Sequence, residues 1–210
     1  MEMPVSGLPG ISGTKLQQLQ QYAELLLDIN SRINLISRKE TDHIFDRHIV
    51  HSLSIAHYFN FSANSRIVDV GSGGGFPAIP LAIYFDNVEF TLVESIRKKA
   101  GVLTDIAVQT GLKNVRVLNQ RSEQVTEKFD FVTGRAVTAF PDFYRITAHL
   151  ISSRQQNAMP NGIIYLKGGD FSDELKGFPM AEIYDIQALV ADEYFSTKHI
   201  IYLPVKAKNK

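Results

Sequence analysis

The sequence predicts an α/β fold: a mostly parallel, doubly wound sheet with an antiparallel edge strand, preceded by an N-terminal helical cap. Three observations predict it. Apolar residues in the first sixty positions recur at helical spacing. After Ser65, five short apolar runs alternate with segments able to form helices. The first of those runs ends in "VDVGSGGGFPAIP", a turn with four glycines in five residues. Strands of a parallel sheet are covered on both faces, so they read as continuous apolar stretches, as these do.

In the cap, Leu16, Leu19, Ala23, Leu26 and Ile33 share one helical face, and Thr14 with Gln17 fits a capping box at its start. A second helix is expected from Thr41, as N-cap, toward Phe59, with Ile44, Ile55 and Phe59 along one stripe. Strands are expected over 67–70, 88–93, 115–118, 129–132 and 163–166. Near the end of the chain, 183–190 and 199–205 are separated by the short "ADEYFSTK", which leaves no room for a crossover helix; an antiparallel pair closing one edge is expected. "SSRQQNAMPNG" reads as a polar loop before the fifth strand. This divides the chain into a helical extension, 1–62, and a main domain, 63–210.

Composition narrows the chemistry. The 210 residues, 44% hydrophobic, suffice for one well-cored domain with an appendage. Lys plus Arg and Asp plus Glu both total 22, so no global field draws the chain to an anionic partner, and any such partner must meet a local basic patch. There is no cysteine, which excludes disulfides, thiolate zinc sites and cysteine nucleophiles. Met1 to Pro9 lacks a basic segment followed by an apolar run, and no run approaches membrane-spanning length, so a soluble, cytoplasmic protein is expected. A monomer is expected as well.

The glycine turn carries the first chemical signal. A dinucleotide fingerprint wants its third glycine three positions after the second, and that position is Phe76. The spacing is instead Asp69, Gly71, Gly73, Gly75, which resembles motif I of class I S-adenosylmethionine-dependent methyltransferases, a Rossmann-like fold. Glycine admits positive φ and lets backbone amides approach a ligand. Glu94, closing "VEFTLVE", is the acid expected to grip ribose hydroxyls.

Further motifs narrow the resemblance. "INLIS" (33–37), "RHIVHS" (47–52), "DVGSGGGFPAIP" (69–80), "RSEQV" (121–125), "GRAV" (134–137) and "YLKGG" (165–169) are similar, in order, to those of the glucose-inhibited division protein B family, bacterial small-subunit (16S) ribosomal RNA guanine-N7 methyltransferases. The resemblance implies S-adenosylmethionine as cofactor, with Gly71, Phe76, Ser122, Glu123 and Arg135 at its contacting positions. Three positions depart from the family's usual residues: Ala78 stands for glycine, His51 for aspartate and Val102 for phenylalanine. Ala78 suits a helix. If the family's acid organises the cap through a salt bridge, the resemblance implies that this chain, with His51, does so differently.

Acceptor chemistry is read partly by exclusion. Methylation at C5 of a pyrimidine needs a cysteine. Enzymes acting on exocyclic amines carry an Asn/Asp-Pro-Pro-aromatic motif where this chain has Gly134-Arg135-Ala136-Val137. Guanine N7 has an in-plane lone pair and no proton to lose, so alignment suffices without a general base. Arg135 and Lys167 are the residues expected to orient cofactor and acceptor. Arg47, His48, Arg121 and Lys167 are the expected RNA contacts, with a rim of Arg121, Arg135 and Lys167 drawing phosphates and Phe76 or Phe140 stacking a base. Arg32, Arg38 and Lys39 add charge to the cap, while Lys206, Lys208 and Lys210 read as a solvated end. His48 and His51, three apart, could share a helix face, but no third ligand is apparent and no metal is expected. The neutral total suits a pre-structured ribosomal subunit intermediate as substrate. The alternative is a non-catalytic, ribosome-associated RNA-binding factor that retains the fold.

Overall fold

The computed structural model describes residues 11, 13–190 and 192–206. Met1 to Pro9, Lys208 and Lys210 lie outside the described residues. The sheet has seven strands: β1 (Arg66–Val70), β2 (Glu89–Val93), β3 (Val115–Leu118), β4 (Phe131–Arg135), β5 (Gly162–Gly168), β6 (Glu182–Asp185) and β7 (Lys198–Pro204), in the order β3-β2-β1-β4-β5-β7-β6. The first five are parallel. β7 runs against β5 and β6 runs against β7. The expected antiparallel pair thus closes the sheet, with β6 at the edge and the reversed strand, β7, one position in.

Crossovers follow β1 and β2 through α3 (Ala78–Tyr84) and α4 (Arg97–Gln109), and follow β4 through α5 (Phe140–Thr147). Between β3 and β4 only one 3-10 turn forms, over Ser122–Gln124. Alternation along the strands divides the core. Ile67, Leu92, Phe131 and Ile164 face the cap side; Val68, Val93, Val132 and Ile163 face the side of α5.

The cap begins with α1 (Thr14–Asn30), whose buried residues are Leu19, Tyr22, Leu26 and Asn30. Its N-cap is Gly13, with no side-chain capping bond, so the Thr14–Gln17 capping box does not form: Thr14 is already the first helical residue. The second cap helix also begins differently. A 3-10 turn over Arg38–His43 runs into a π-helical turn over Ile44–Ile49 and then α2 (Val50–Tyr58), so Thr41 sits inside a helical turn rather than capping one. Leu19, Tyr22, Leu26, Ile44 and Ile55 join the same core as Ile67 and Phe131. The loop before β5 is tied down: Asn161 Nδ2 donates to the carbonyls of Ser152 and Arg154, and Gln156 donates to the Asp130 carboxylate.

Candidate cofactor site

The glycine turn lies between β1 and α3 at the carboxyl end of the sheet, the side on which open parallel sheets bind ligands. Gly71 and Gly75 have φ of +73° and +97°. A Cβ on Gly75 would stand 2.6 Å from Ile79, and one on Gly71 would stand 2.9 Å from Val137. Both positions therefore exclude side chains by conformation and by space. The Gly71 amide donates to the Val93 carbonyl at 2.9 Å, which pins the turn to the end of β2.

Glu94 continues β2 and is buried. Its carboxylate accepts from the Gly73 amide at 3.1 Å and the Ile96 amide at 2.8 Å, so the expected ribose acid is held against the turn by two backbone donors. Each carboxylate oxygen keeps a lone pair for a further donor. Asn119 donates to the carbonyls of Glu94 and Ser95 and joins the ends of β2 and β3.

Asp69 is wholly buried beneath the turn. Thr133 donates to its Oδ1 at 2.9 Å, while burial, against the Ser72 and Thr133 hydrogen bonds, raises its carboxyl to about 7. Expected as a cofactor contact, it has no exposed surface and instead supports the turn from below. Ser122 is buried, and its hydroxyl donates to the Glu123 carboxylate at 3.0 Å, just past the end of β3. Gly73 is bonded to Glu94 past the end of β2, and Ser122 and Glu123 follow the end of the neighbouring β3.

Phe76 is the hinge between turn and cap. Its ring meets Tyr22 at 5.4 Å and His48 at 5.2 Å, and Arg135 lies over it at 4.5 Å. Tyr22 donates to the Gly74 carbonyl at 2.7 Å, so α1 grips the turn directly. Arg135 Nη2 meets His48 Nδ1 at 2.7 Å, while its Nη1 is buried with no hydrogen-bond partner among the described residues. Burial lowers the arginine's pKa, yet a guanidinium starts high enough to stay charged. An enclosed guanidinium nitrogen with an idle N–H, beside a glycine turn, is able to donate to a further acceptor.

The expected rim is corrected by this arrangement. Arg135 is not an open rim cation: it is half-buried, with its Nη1 enclosed. Lys167 ends β5 where expected, yet its ammonium pairs with Glu174 at 2.8 Å. That carboxylate also accepts from the Phe140 amide at 2.6 Å. His48 is buried, not presented to solvent as an RNA contact would be; burial, then Arg135, Arg47 and His43, push it down to about 3, so it stays neutral. Arg47 lies over the Tyr194 ring at 4.6 Å and near Glu40 at 3.9 Å. Arg121 is exposed, as expected. Phe140 is fully buried beside Phe178 and stacks no ligand.

His51, where the resemblance led us to expect aspartate, is buried against the edge of Phe195 at 5.9 Å. Burial, Arg135 and Lys198 hold it well below the usual histidine range. The cap accommodates it as a neutral ring. Ala78 starts α3, and Val102 packs into the core. No group of three residues suited to a metal forms among the described residues.

Tyr165 escaped the sequence reading. Its hydroxyl accepts from the amides of Val137 and Thr138 at 2.9 and 3.1 Å and donates to the Thr138 carbonyl at 2.8 Å. These bonds hold Ala136 at φ +53° and lay Val137 over Gly71. The available signal was a tyrosine inside an otherwise apolar strand, since a buried hydroxyl needs partners.

Comparison with known proteins agrees with this geometry. A protein crystallised under the name MtNAS, in complex with MTA and tNA, shares the fold with a TM-score of 0.61 and 14% identity, covering 90% of this chain and 70% of that one. Ribosomal RNA small subunit methyltransferase G of Flavobacterium johnsoniae is 42% identical over 200 residues, 95% of this chain and 96% of that protein. The protein of the same name from Flavobacterium psychrophilum is 41% identical over 208 residues, 99% of this chain and 100% of that protein. The family model GidB, described as rRNA small subunit methyltransferase G, matches residues 15–197, and the chain belongs to that family.

Proposed function

We infer that the protein transfers a methyl group from S-adenosylmethionine to N7 of a guanine in small-subunit (16S) ribosomal RNA. The observation that carries the reading is Arg135, with a buried and idle Nη1, facing a glycine turn whose neighbouring strand ends on Glu94. A cofactor bearing both a carboxylate and ribose hydroxyls suits this pair, and a sulfonium methyl is the group it supplies. Gly71, Gly73, Gly75 and Phe76 shape the floor, Ser122 and Glu123 the β3 side. Asp69 supports the turn from below.

The remaining work is alignment. N7 carries its lone pair in the ring plane and releases no proton, so the chain needs no general base at the acceptor. Neutral His48 and the Phe76 ring hold the Arg135 guanidinium in one orientation. Lys167, through Glu174, fixes the start of α5 beside the acceptor side of the sheet. We divide the chain into a helical extension, 1–62, whose described residues cap the turn through Tyr22, and a domain, 63–210, that carries the transfer. We place the protein in the cytoplasm as a monomer acting on ribosomal RNA or a subunit intermediate; no helix among the described residues is long and apolar enough to cross a membrane.

Methyl transfer from labelled cofactor to small-subunit ribosomal RNA, followed by mass spectrometry of the digested product, tests the reading. 7-Methylguanosine is expected. Label on a pyrimidine C5 or an adenine amine overturns the acceptor; saturable cofactor binding with no transfer favours the non-catalytic factor.

A further inference from the structure

We propose that the first turn of α4, Arg97, Lys98 and Lys99, with the neighbouring Arg121, is the surface that receives the phosphate backbone of the RNA. This rests on the methyltransferase reading and names where its substrate docks. It also moves the docking surface away from the β4 and β5 ends, where Arg135 is engaged by His48 and Phe76 and Lys167 is already paired.

Arg97 and Lys98 are exposed and Lys99 half-buried. Among the described residues none of the three has an ion pair, whereas Arg32, Arg66, Arg116, Arg145, Lys167 and Lys176 each have one. The first turn of α4 contains no acid. Three adjacent cations repel one another and oppose the positive pole of their own helix. Helix stability therefore selects against this arrangement, and an external polyanion accounts for it. Asp28 and Asp105 line the same groove as Lys98, but Asp28 is taken by Arg32.

The patch adjoins the cofactor site through bonded links. Ile96, 52% exposed, donates its amide to Glu94, and Glu94 accepts from the glycine turn. Asn119 donates to the Ser95 carbonyl and ties the chain just past β2, two residues before Arg97, to the chain just past β3, two residues before Arg121. Lys99 borders a recess with Asn34, Leu35 and Ile36 of the cap loop, and Ile36 packs over Gly74. A strand of RNA lying on these cations thus passes beside the mouth where the methyl group is transferred, with Ile96 as its apolar neighbour. Phosphate contacts of this kind set register, leaving base choice to the site itself.

The test replaces Arg97, Lys98 and Lys99 together by glutamine and measures two quantities: the KM for small-subunit ribosomal RNA in methyl transfer, and RNA affinity by filter binding across about 50–200 mM salt. Three lost phosphate contacts on single-stranded RNA should flatten the salt slope by about two units and raise the KM by about tenfold or more. Cofactor affinity should stay at the wild-type value, and the thermal midpoint should hold or rise. Lys113→Gln, at the opposite end of the sheet before β3, should leave the slope unchanged; an equal effect there means general charge loss and overturns the patch. Should the triple variant fold poorly, Lys98→Gln alone should still remove about 0.7 units of slope. An unchanged slope and KM in a folded variant overturn the proposal. If wild-type protein methylates no ribosomal RNA, the methyltransferase reading fails, and the filter-binding slope still decides the patch.

Discussion

Arg135 Nη2 stands 2.7 Å from His48 Nδ1 while the same guanidinium covers the Phe76 ring, so one half-buried cation joins the cap to the cofactor turn. A lysine cannot reach the imidazole and lie flat on the ring at once. Arg135→Lys should therefore weaken S-adenosylmethionine binding by at least about tenfold, with a thermal midpoint shifted by only about 2–4 °C, the equivalent of about 1 kcal/mol. Titration calorimetry and a thermal scan read both. Wild-type affinity in the variant makes Arg135 a packing residue and nothing more.

Acid should loosen the cap through His48. Its folded pKa, about 3, lies below the ordinary 6.5, so the folded chain gives up a proton that the unfolded chain keeps. That contribution is fully present above 6.5 and is lost as pH falls toward 3, at up to about 1.4 kcal/mol per unit. Asp69 acts in the opposite sense: raised from 3.8 to about 7, its contribution is fully present below 3.8 and lost as pH rises to 7. His48→Gln removes the first and leaves the second. Urea midpoints at about pH 4, 5 and 6 should show stability becoming more negative in slope by up to about 1.4 kcal/mol per unit. An unchanged profile would mean that His48 is hydrated in solution.

Two glycines should respond with opposite signs. Gly75→Ala forces a Cβ to 2.6 Å from Ile79 at φ +97° and should cost about 1–3 kcal/mol, lowering the thermal midpoint by several degrees. Gly101, inside α4, has open space where a Cβ would go; Gly101→Ala should add about 0.5–1 kcal/mol. A destabilised Gly101→Ala would show that α4 packs differently at that point.

Lys167→Ala separates an inner pair from an RNA contact. With its ammonium held by Glu174, the loss should leave the salt slope of RNA binding at the wild-type value while slowing turnover, because the start of α5 is freed. A slope reduced by about 0.7 units would instead return Lys167 to the phosphate backbone.

Much of this was legible in the order of residues. The five parallel strands declare themselves as apolar runs, and the glycine turn with Glu94 marks the ligand end, because close backbone approach leaves few residue types that fit. What was not legible is which cations are spent inside the protein. Arg121, Arg135 and Lys167 look alike as strand-end cations, yet one is exposed, one is half-buried and stacked over Phe76, and one is paired with Glu174, seven residues on in sequence. Pairing and burial are set by tertiary packing, and spacing does not encode them. The entry into the second cap helix was likewise hidden, since a 3-10 turn passing into a π-turn shifts the periodicity on which helix reading depends.

The position of β7 between β5 and β6 imposes an order of assembly. β6 has β7 as its sole neighbour in the sheet, yet it is synthesised first. Its backbone groups must wait, hydrated, until residues 198–204 exist and have docked on β5. The parallel half of the sheet can be assembled from what has already been made, whereas this edge is completed backwards, the later strand recruiting the earlier one.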